Sequence, residues 1–204
     1  MIDFKLYLIT DRKTTGGDYY KSIEDALRGG VRAVQLREKD LPLRDVLMRA
    51  YELRRITYKY KARLFINDRV DIALAVDAEG VHLGGNSLPV HAARKAARGR
   101  LLIGVSTHGL QEAVKAESEG ADFITFGPVY ETPSKLKYGP PQGLKRLREI
   151  VENIKIPVFA IGGINENNLM DVMNTGSFGV AMISAILSSD NIKEKTERIV
   201  RLLK

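Results

Sequence analysis

Short apolar segments recur along the chain at Leu6 to Ile9, Ala33 to Leu36, Leu64 to Ile66, Val81 to Leu83, Leu101 to Val105, Phe123 to Phe126, Val158 to Ile161 and Gly179 to Ile183. Between them, apolar residues return every three or four positions, the spacing of one helix face. Leu43, Val46, Leu47, Ala50, Leu53 and Ile56 form such a stripe, with Arg44, Arg49, Arg54 and Lys59 on the other faces. The segments 101–105 and 158–161 do not alternate with polar residues, as expected of parallel strands covered on both sides. Pro42 and Pro89 lie near predicted helix starts, where a missing amide donor costs least, and Pro157 opens a strand. Eight strand segments separated by helices predict one α/β domain over residues 1–204, a single (β/α)8 TIM barrel.

That fold places chemistry on the loops that follow the strands. Here those loops carry Thr10-Asp11-Arg12, Arg37-Glu38-Lys39, Asn67-Asp68, Ser106-Thr107-His108, Gly127-Pro128, Gly162-Gly163 and Ser184. All fall on one predicted rim. The longest irregular stretch, 131–141, is rich in Pro, Gly and Lys and is expected to form a flap over that rim.

Composition narrows the chemistry. With 204 residues, little chain remains for a second domain, and no apolar run approaches the ~20 residues of a membrane-spanning helix. The first residues enter the first strand without a secretory pattern, so a cytoplasmic protein is expected. Cysteine is absent, which excludes disulfides, thiolate nucleophiles and cysteine-bound metals and leaves carboxylate-bound magnesium open. Thirty-two Lys and Arg against 25 Asp and Glu give a net charge of +7, which favours anionic partners, either phosphorylated small molecules or nucleic acid.

Gln35, Arg37 and Lys39 alternate across a strand end and so share a face. Facing inward, they combine a planar guanidinium fork, a mobile ammonium and a neutral amide suited to phosphate oxygens. Asn67-Asp68 offers an amide and a magnesium-binding carboxylate, although on the residues alone a turn is the stronger reading. Ser106 and Thr107 can bind phosphate or cap a helix, and His108 can move protons near neutral pH. Gly162-Gly163 and Ser184 stand at the two loops where such barrels hold phosphate.

These residues together resemble the thiamin-phosphate synthase family, including its TenI thiazole tautomerase branch. The matching marks are Gln-x-Arg-Glu-Lys at 35–39, Asn-Asp at 67–68, Gly-Val-Ser-x-His at 104–108, Thr-x-Ser-Lys at 132–135, Ile-Gly-Gly-Ile at 161–164 and Met-Ile-Ser at 182–184. The resemblance implies that Gln35, Arg37, Lys39, Asn67, Ser106 and Lys135 bind an aminopyrimidine diphosphate whose leaving group is held by magnesium at Asp68. It further implies that Thr132, Ser134, Gly163, Ile183 and Ser184 take a thiazole phosphate. Lys39, Ser106, His108 and Lys135 are then the catalytic candidates.

The chain departs from the family at Gly84-Gly85-Asn86-Ser87, where synthases read Gly-Gln-x-Asp and the Asp is the second magnesium carboxylate. Ser87 is a weaker, neutral ligand. Its presence favours the tautomerase branch, in which His108 matches the family histidine and no metal is needed. Retained Arg37, Lys39, Asn67, Asp68 and Lys135 favour the synthase. A non-catalytic phosphate- or nucleic-acid-binding barrel ranks third, since no reader motif or aromatic basic stripe is present. The expected partners are phosphorylated small molecules rather than a membrane or nucleic acid, with a homo-oligomer left open.

Overall fold

Eight parallel strands close on themselves in chain order, each hydrogen-bonded to the next and the last to the first. The computed structural model describes residues 1–132 and 140–204. The strands are β1 (Leu6–Ile9), β2 (Ala33–Leu36), β3 (Arg63–Asn67), β4 (Gly80–Leu83), β5 (Leu102–Thr107), β6 (Phe123–Phe126), β7 (Val158–Ile161) and β8 (Gly179–Met182). Around them run α1 (Tyr19–Arg28), α2 (Leu43–Lys59), α3 (Val70–Ala75), α4 (Val90–Ala97), α5 (Leu110–Ser118), α6 (Gly143–Asn153), α7 (Leu169–Met173), α8 (Ser184–Leu187) and α9 (Ile192–Leu202). This is the expected (β/α)8 barrel. None of the described helices is long and apolar enough to cross a membrane.

Strand alternation sorts the side chains into two cores. Leu6, Leu8, Val34, Leu36, Leu64, Ile66, Val81 and Leu83 point outward and meet the helices. Tyr7, Phe65, Phe123 and Phe159 point inward with Ile9, Ala33 and Ala181, and fill the barrel. Neighbouring rings pack edge to face, with centroids 5.3 to 5.5 Å apart from Tyr7 through Phe65 and Phe123 to Phe159. Rings this large fit because small residues stand beside them. A Cβ on Gly80 would lie 2.4 Å from the Phe65 ring, and one on Gly104 would lie 2.4 Å from Phe123.

The inward series continues upward from the rings. In strand register, Gln35, Asn67, His82, Ser106 and Thr125 have the inward parity and end at the C-terminal mouth. The aromatic layer thus forms a largely apolar floor beneath polar groups that must find partners among themselves or in a ligand.

Some boundaries differ from expectation. β3 and β5 are longer, so Asn67, Ser106 and Thr107 belong to strands, whereas Ile183 lies outside β8 as the residue before α8. Pro42 and Pro89 directly precede α2 and α4, as predicted. On α2 the buried stripe begins only at Ala50; Val46 and Leu47 are partly buried and Leu43 is 48% exposed at the first residue of the helix. Arg54 is drawn against the barrel by Glu79, at 2.8 Å, and Arg49 covers the Tyr19 ring at 4.9 Å. Those two arginines therefore pack against the protein rather than lying free on the helix surface.

Candidate active site

Gln35 is buried in the barrel mouth, where its Nε2 donates to Asn67 Oδ1 at 2.9 Å. Asn67 Nδ2 in turn donates to Asp68 Oδ2 at 2.6 Å. Asp68 has a left-handed backbone, φ 61°, and its amide is tied to His82 O at 2.9 Å. Asp and Asn tolerate this conformation better than most residues, so the turn and the site use the same two side chains. Asp68 Oδ1 accepts from Gly84 N at 3.2 Å and from the Ser87 hydroxyl. Gln35 Oε1 is buried without a partner among the described residues, a costly state that a donor on a ligand or water would relieve.

Arg37 follows Gln35 on the same face. Its amide donates to Thr10 Oγ1 at 3.0 Å, while Thr10 N donates to Gln35 O at 2.9 Å, so the ends of β1 and β2 are laced together. The Arg37 side chain is half-buried and Lys39 is exposed. Glu38, between them, turns the other way and is paired with Arg12 at 2.8 Å.

His82 occupies the centre of the mouth, fully enclosed, with Nε2 3.0 Å from Ser106 Oγ and 3.5 Å from Thr125 Oγ1. Burial pushes its pKa down to about 3, against the pull of Asp68 and with the help of the Arg37 charge. The imidazole is neutral near pH 7, and both Asp68 and Arg37 are electrostatically within its reach. Neither Ser106 nor Thr107 caps α5: its capping residue is Gly109, and Thr107 Oγ1 donates to Thr125 O. His108 is exposed at the rim, with Nδ1 2.5 Å from Gly127 O. A carbonyl can only accept, so Nδ1 carries the proton and Nε2 is left as the basic nitrogen.

Across the mouth, the chain leaving β6 lies against the Gly162-Gly163 turn. Val129 N donates to Ile161 O and Tyr130 N to Gly162 O, at 2.9 and 3.0 Å. Gly162 and Gly163 have φ of 101° and 66°, and a Cβ on Gly163 would lie 2.6 Å from both Glu131 O and Tyr130 Cβ. Glycine is required there for backbone conformation and for contact alike. Thr132 is half-buried at the end of this strap, and Ser184, the first residue of α8, is exposed with Ile183 half-buried before it. Ser134 and Lys135, with most of the expected flap, lie outside the described residues.

The structure thus joins Gln35, Asn67, Asp68 and Ser87 by hydrogen bonds and sets Ser106 against His82, with Arg37 laced to the neighbouring loop. Lys39, His108, Gly163 and Ile183 occupy strand-end loops of the same rim, and Ser184 opens α8 there, without bonds to that cluster among the described residues. Sequence reasoning overlooked His82 and placed Thr10 on the rim without a role. His82 sits two residues after Gly80 in β4, an inward parity that would have revealed it, but Val81 and Leu83 hide it in an apolar run. Among the described residues no three His, Asp or Glu groups come together as a metal site.

Residues 6–186 match the family described as Thiamine monophosphate synthase. A Geobacter sulfurreducens relative is 53% identical over 203 residues, covering 99% of this chain and 95% of its own length. Thiamine-phosphate synthase of Clostridium acetobutylicum is 46% identical over 206 residues, covering 100% and 96%. The solved thiamine phosphate pyrophosphorylase from Pyrococcus furiosus superposes with a TM-score of 0.91 at 42% identity, covering 98% of this chain and 95% of that one. Barrel, motif order and full-length identity agree, and the chain belongs to the thiamine-phosphate synthase family.

Proposed function

We propose that this chain is a thiamine-phosphate synthase that couples 4-amino-2-methyl-5-hydroxymethylpyrimidine diphosphate to (carboxy)thiazole phosphate. The bond between the pyrimidine methylene carbon and the diphosphate oxygen breaks, the thiazole nitrogen bonds to that carbon, and pyrophosphate leaves with the electron pair. The observation that carries this reading is the linked Gln35-Asn67-Asp68 cluster beside Arg37, a cationic and amide-rich mouth above an apolar floor. Arg37 and Lys39 take the negative charge that grows on the leaving group, and Lys135 joins them. Gln35, Asn67 and Ser106 orient the pyrimidine, and the unpartnered Gln35 Oε1 accepts from its amine. Thr132, Ser134, Gly163, Ile183 and Ser184 hold the thiazole phosphate. Positioning and charge stabilisation account for catalysis, with no covalent nucleophile required.

Magnesium fits this mouth at Asp68. An ionised carboxylate has about four lone-pair sites, and Asp68 accepts three described donors, from Gly84, Ser87 and Asn67. One site on Oδ2 therefore remains, through which Asp68 would hold the cation. Bound there, magnesium would neutralise charge on the departing pyrophosphate. Lys39, Ser106 and Lys135 are the catalytic candidates.

Ser87 and the basic Nε2 of His108 favour a second reading, proton transfer on the carboxythiazole phosphate without metal. Incubating the purified protein with both coupling substrates, and separately with the thiazole tautomer alone, distinguishes them. Mass spectrometry detecting thiamin phosphate and stoichiometric pyrophosphate supports the synthase. NMR showing only tautomer exchange, with no coupling at any magnesium concentration, replaces it with the isomerase.

A further inference from the structure

The alternation that sets Gln35, Arg37 and Lys39 on one face places Glu38 and Asp40 immediately beside both cations. A carboxylate next to a phosphate-binding arginine competes with the phosphate for the same guanidinium. The structure gives both carboxylates another partner. The Glu38 side chain, 2% exposed, accepts from the Arg12 amide at 3.2 Å and from its guanidinium at 2.8 Å. The same guanidinium holds Asp40 through two bonds, at 2.5 and 2.9 Å, and Lys13 pairs with Asp40 at 2.7 Å. Among the described residues no ion pair involves Arg37 or Lys39. The loop after β1 therefore supplies a cation that occupies both acids of the loop after β2, while Thr10, two residues earlier, anchors the Arg37 amide.

We propose that Arg12 is a positioning residue for anion binding: by engaging Glu38 and Asp40 in its own ion pairs, it prevents them from neutralising Arg37 and Lys39. Arg12 has no contact with substrate in this scheme. The guanidinium fork suits the task because it grips two carboxylates at once, which a lysine ammonium does with less geometric control. The inference rests on reading Arg37 and Lys39 as the diphosphate arm, and requires only that they bind an anion.

Inorganic pyrophosphate, titrated calorimetrically into the full-length protein, is the probe, and it reports whether or not the coupling reaction occurs. Arg12→Gln should weaken pyrophosphate binding about tenfold, because the freed carboxylates turn to Arg37 and Lys39. Adding Glu38→Gln and Asp40→Asn to that variant should return the affinity to within about threefold of the original, since neutral amides no longer compete as ions. Coupling assays on the same proteins should show the change in KM for the pyrimidine diphosphate rather than in kcat. Unchanged affinity in Arg12→Gln overturns the proposal, as does a loss that the two amide substitutions fail to reverse. If Arg12→Gln does not fold, Arg12→Lys compared with Arg12→Lys/Asp40→Asn carries the same test, and equal affinities in that pair overturn it. Arg37→Gln separates the two readings. If it binds pyrophosphate normally, the diphosphate arm itself is misassigned; if it binds weakly while Arg12→Gln is unaffected, only the role of Arg12 falls.

Discussion

His82 and Ser106 meet inside the barrel mouth, Nε2 to Oγ at 3.0 Å, so an imidazole that is neutral near pH 7 orients the Ser106 hydroxyl. Burial holds the His82 pKa at about 3, whereas an unfolded histidine titrates near 6.5. Above pH 6.5 both states are neutral and the group contributes no pH dependence. As pH falls below 6.5 the unfolded chain takes up a proton that the folded chain refuses, so stability falls until about pH 3. Between pH 7 and pH 5 this one residue should remove about 2 kcal/mol of stability. Urea unfolding of the original protein and of His82→Gln at both pH values checks it. Their stability difference should shift by that amount, and parallel pH profiles would show that His82 is protonated in the fold.

Gly163 is held by two independent constraints, a φ of 66° and a backbone oxygen 2.6 Å from where a Cβ would stand. Gly163→Ala should cost about 2 kcal/mol or more, combining left-handed strain with a forced shift of Glu131. The displaced strap carries Thr132, so KM for the thiazole phosphate should rise as well. Gly16→Ala is the control, because a Cβ there meets nothing within 4 Å and the backbone is not in the left-handed region. Chemical denaturation of both variants decides the point: equal stabilities would mean that the strap yields without cost.

The barrel was legible in the chain because its eight apolar segments are short, separated by helical stretches and followed by polar residues. Gln35, Arg37 and Asn67 could be placed at strand ends for the same reason. What the pattern concealed was which way the apolar residues face. Tyr7 and Leu8 both read as core, yet one fills the barrel and the other meets the helices, since strands covered on both faces lose the period-two signal. His82 was hidden by the same effect. The Arg12 to Glu38 pair spans 26 residues and connects separate loops, so no local spacing announces it. Ser87 was read as a lost metal ligand, and only the structure shows its hydroxyl engaged with Asp68.

His108 is oriented by Gly127 O, which leaves Nε2 as its basic atom at the rim. In a synthase this group performs no obligatory proton transfer, so His108→Ala should retain coupling within about tenfold. In a tautomerase the same substitution should remove a general base worth about 100-fold or more. Parallel measurement of thiamin phosphate formation and thiazole proton exchange on this variant tests the assignment. Collapse of coupling without a change in KM would place His108 in the synthase chemistry.

Ser87→Asp tests how the Asp68 carboxylate is held. In the present chain the Ser87 hydroxyl and the Gly84 amide both donate to Asp68 Oδ1, leaving one protein carboxylate for a cation. Magnesium alone should therefore raise the melting temperature little, whereas magnesium with pyrophosphate should raise it clearly, because the anion supplies the missing oxygen ligands. Replacing the donor by a second carboxylate removes a hydrogen bond and sets like charges together, so the metal-free variant should lose about 1 to 3 kcal/mol. Magnesium should then restore that loss without pyrophosphate and lower the concentration needed for half-maximal coupling. Thermal unfolding of both proteins across magnesium and pyrophosphate concentrations reads all of these effects. If the original protein responds to magnesium alone as strongly as the variant does, Asp68 and Ser87 already form a complete cation site and the serine is no handicap.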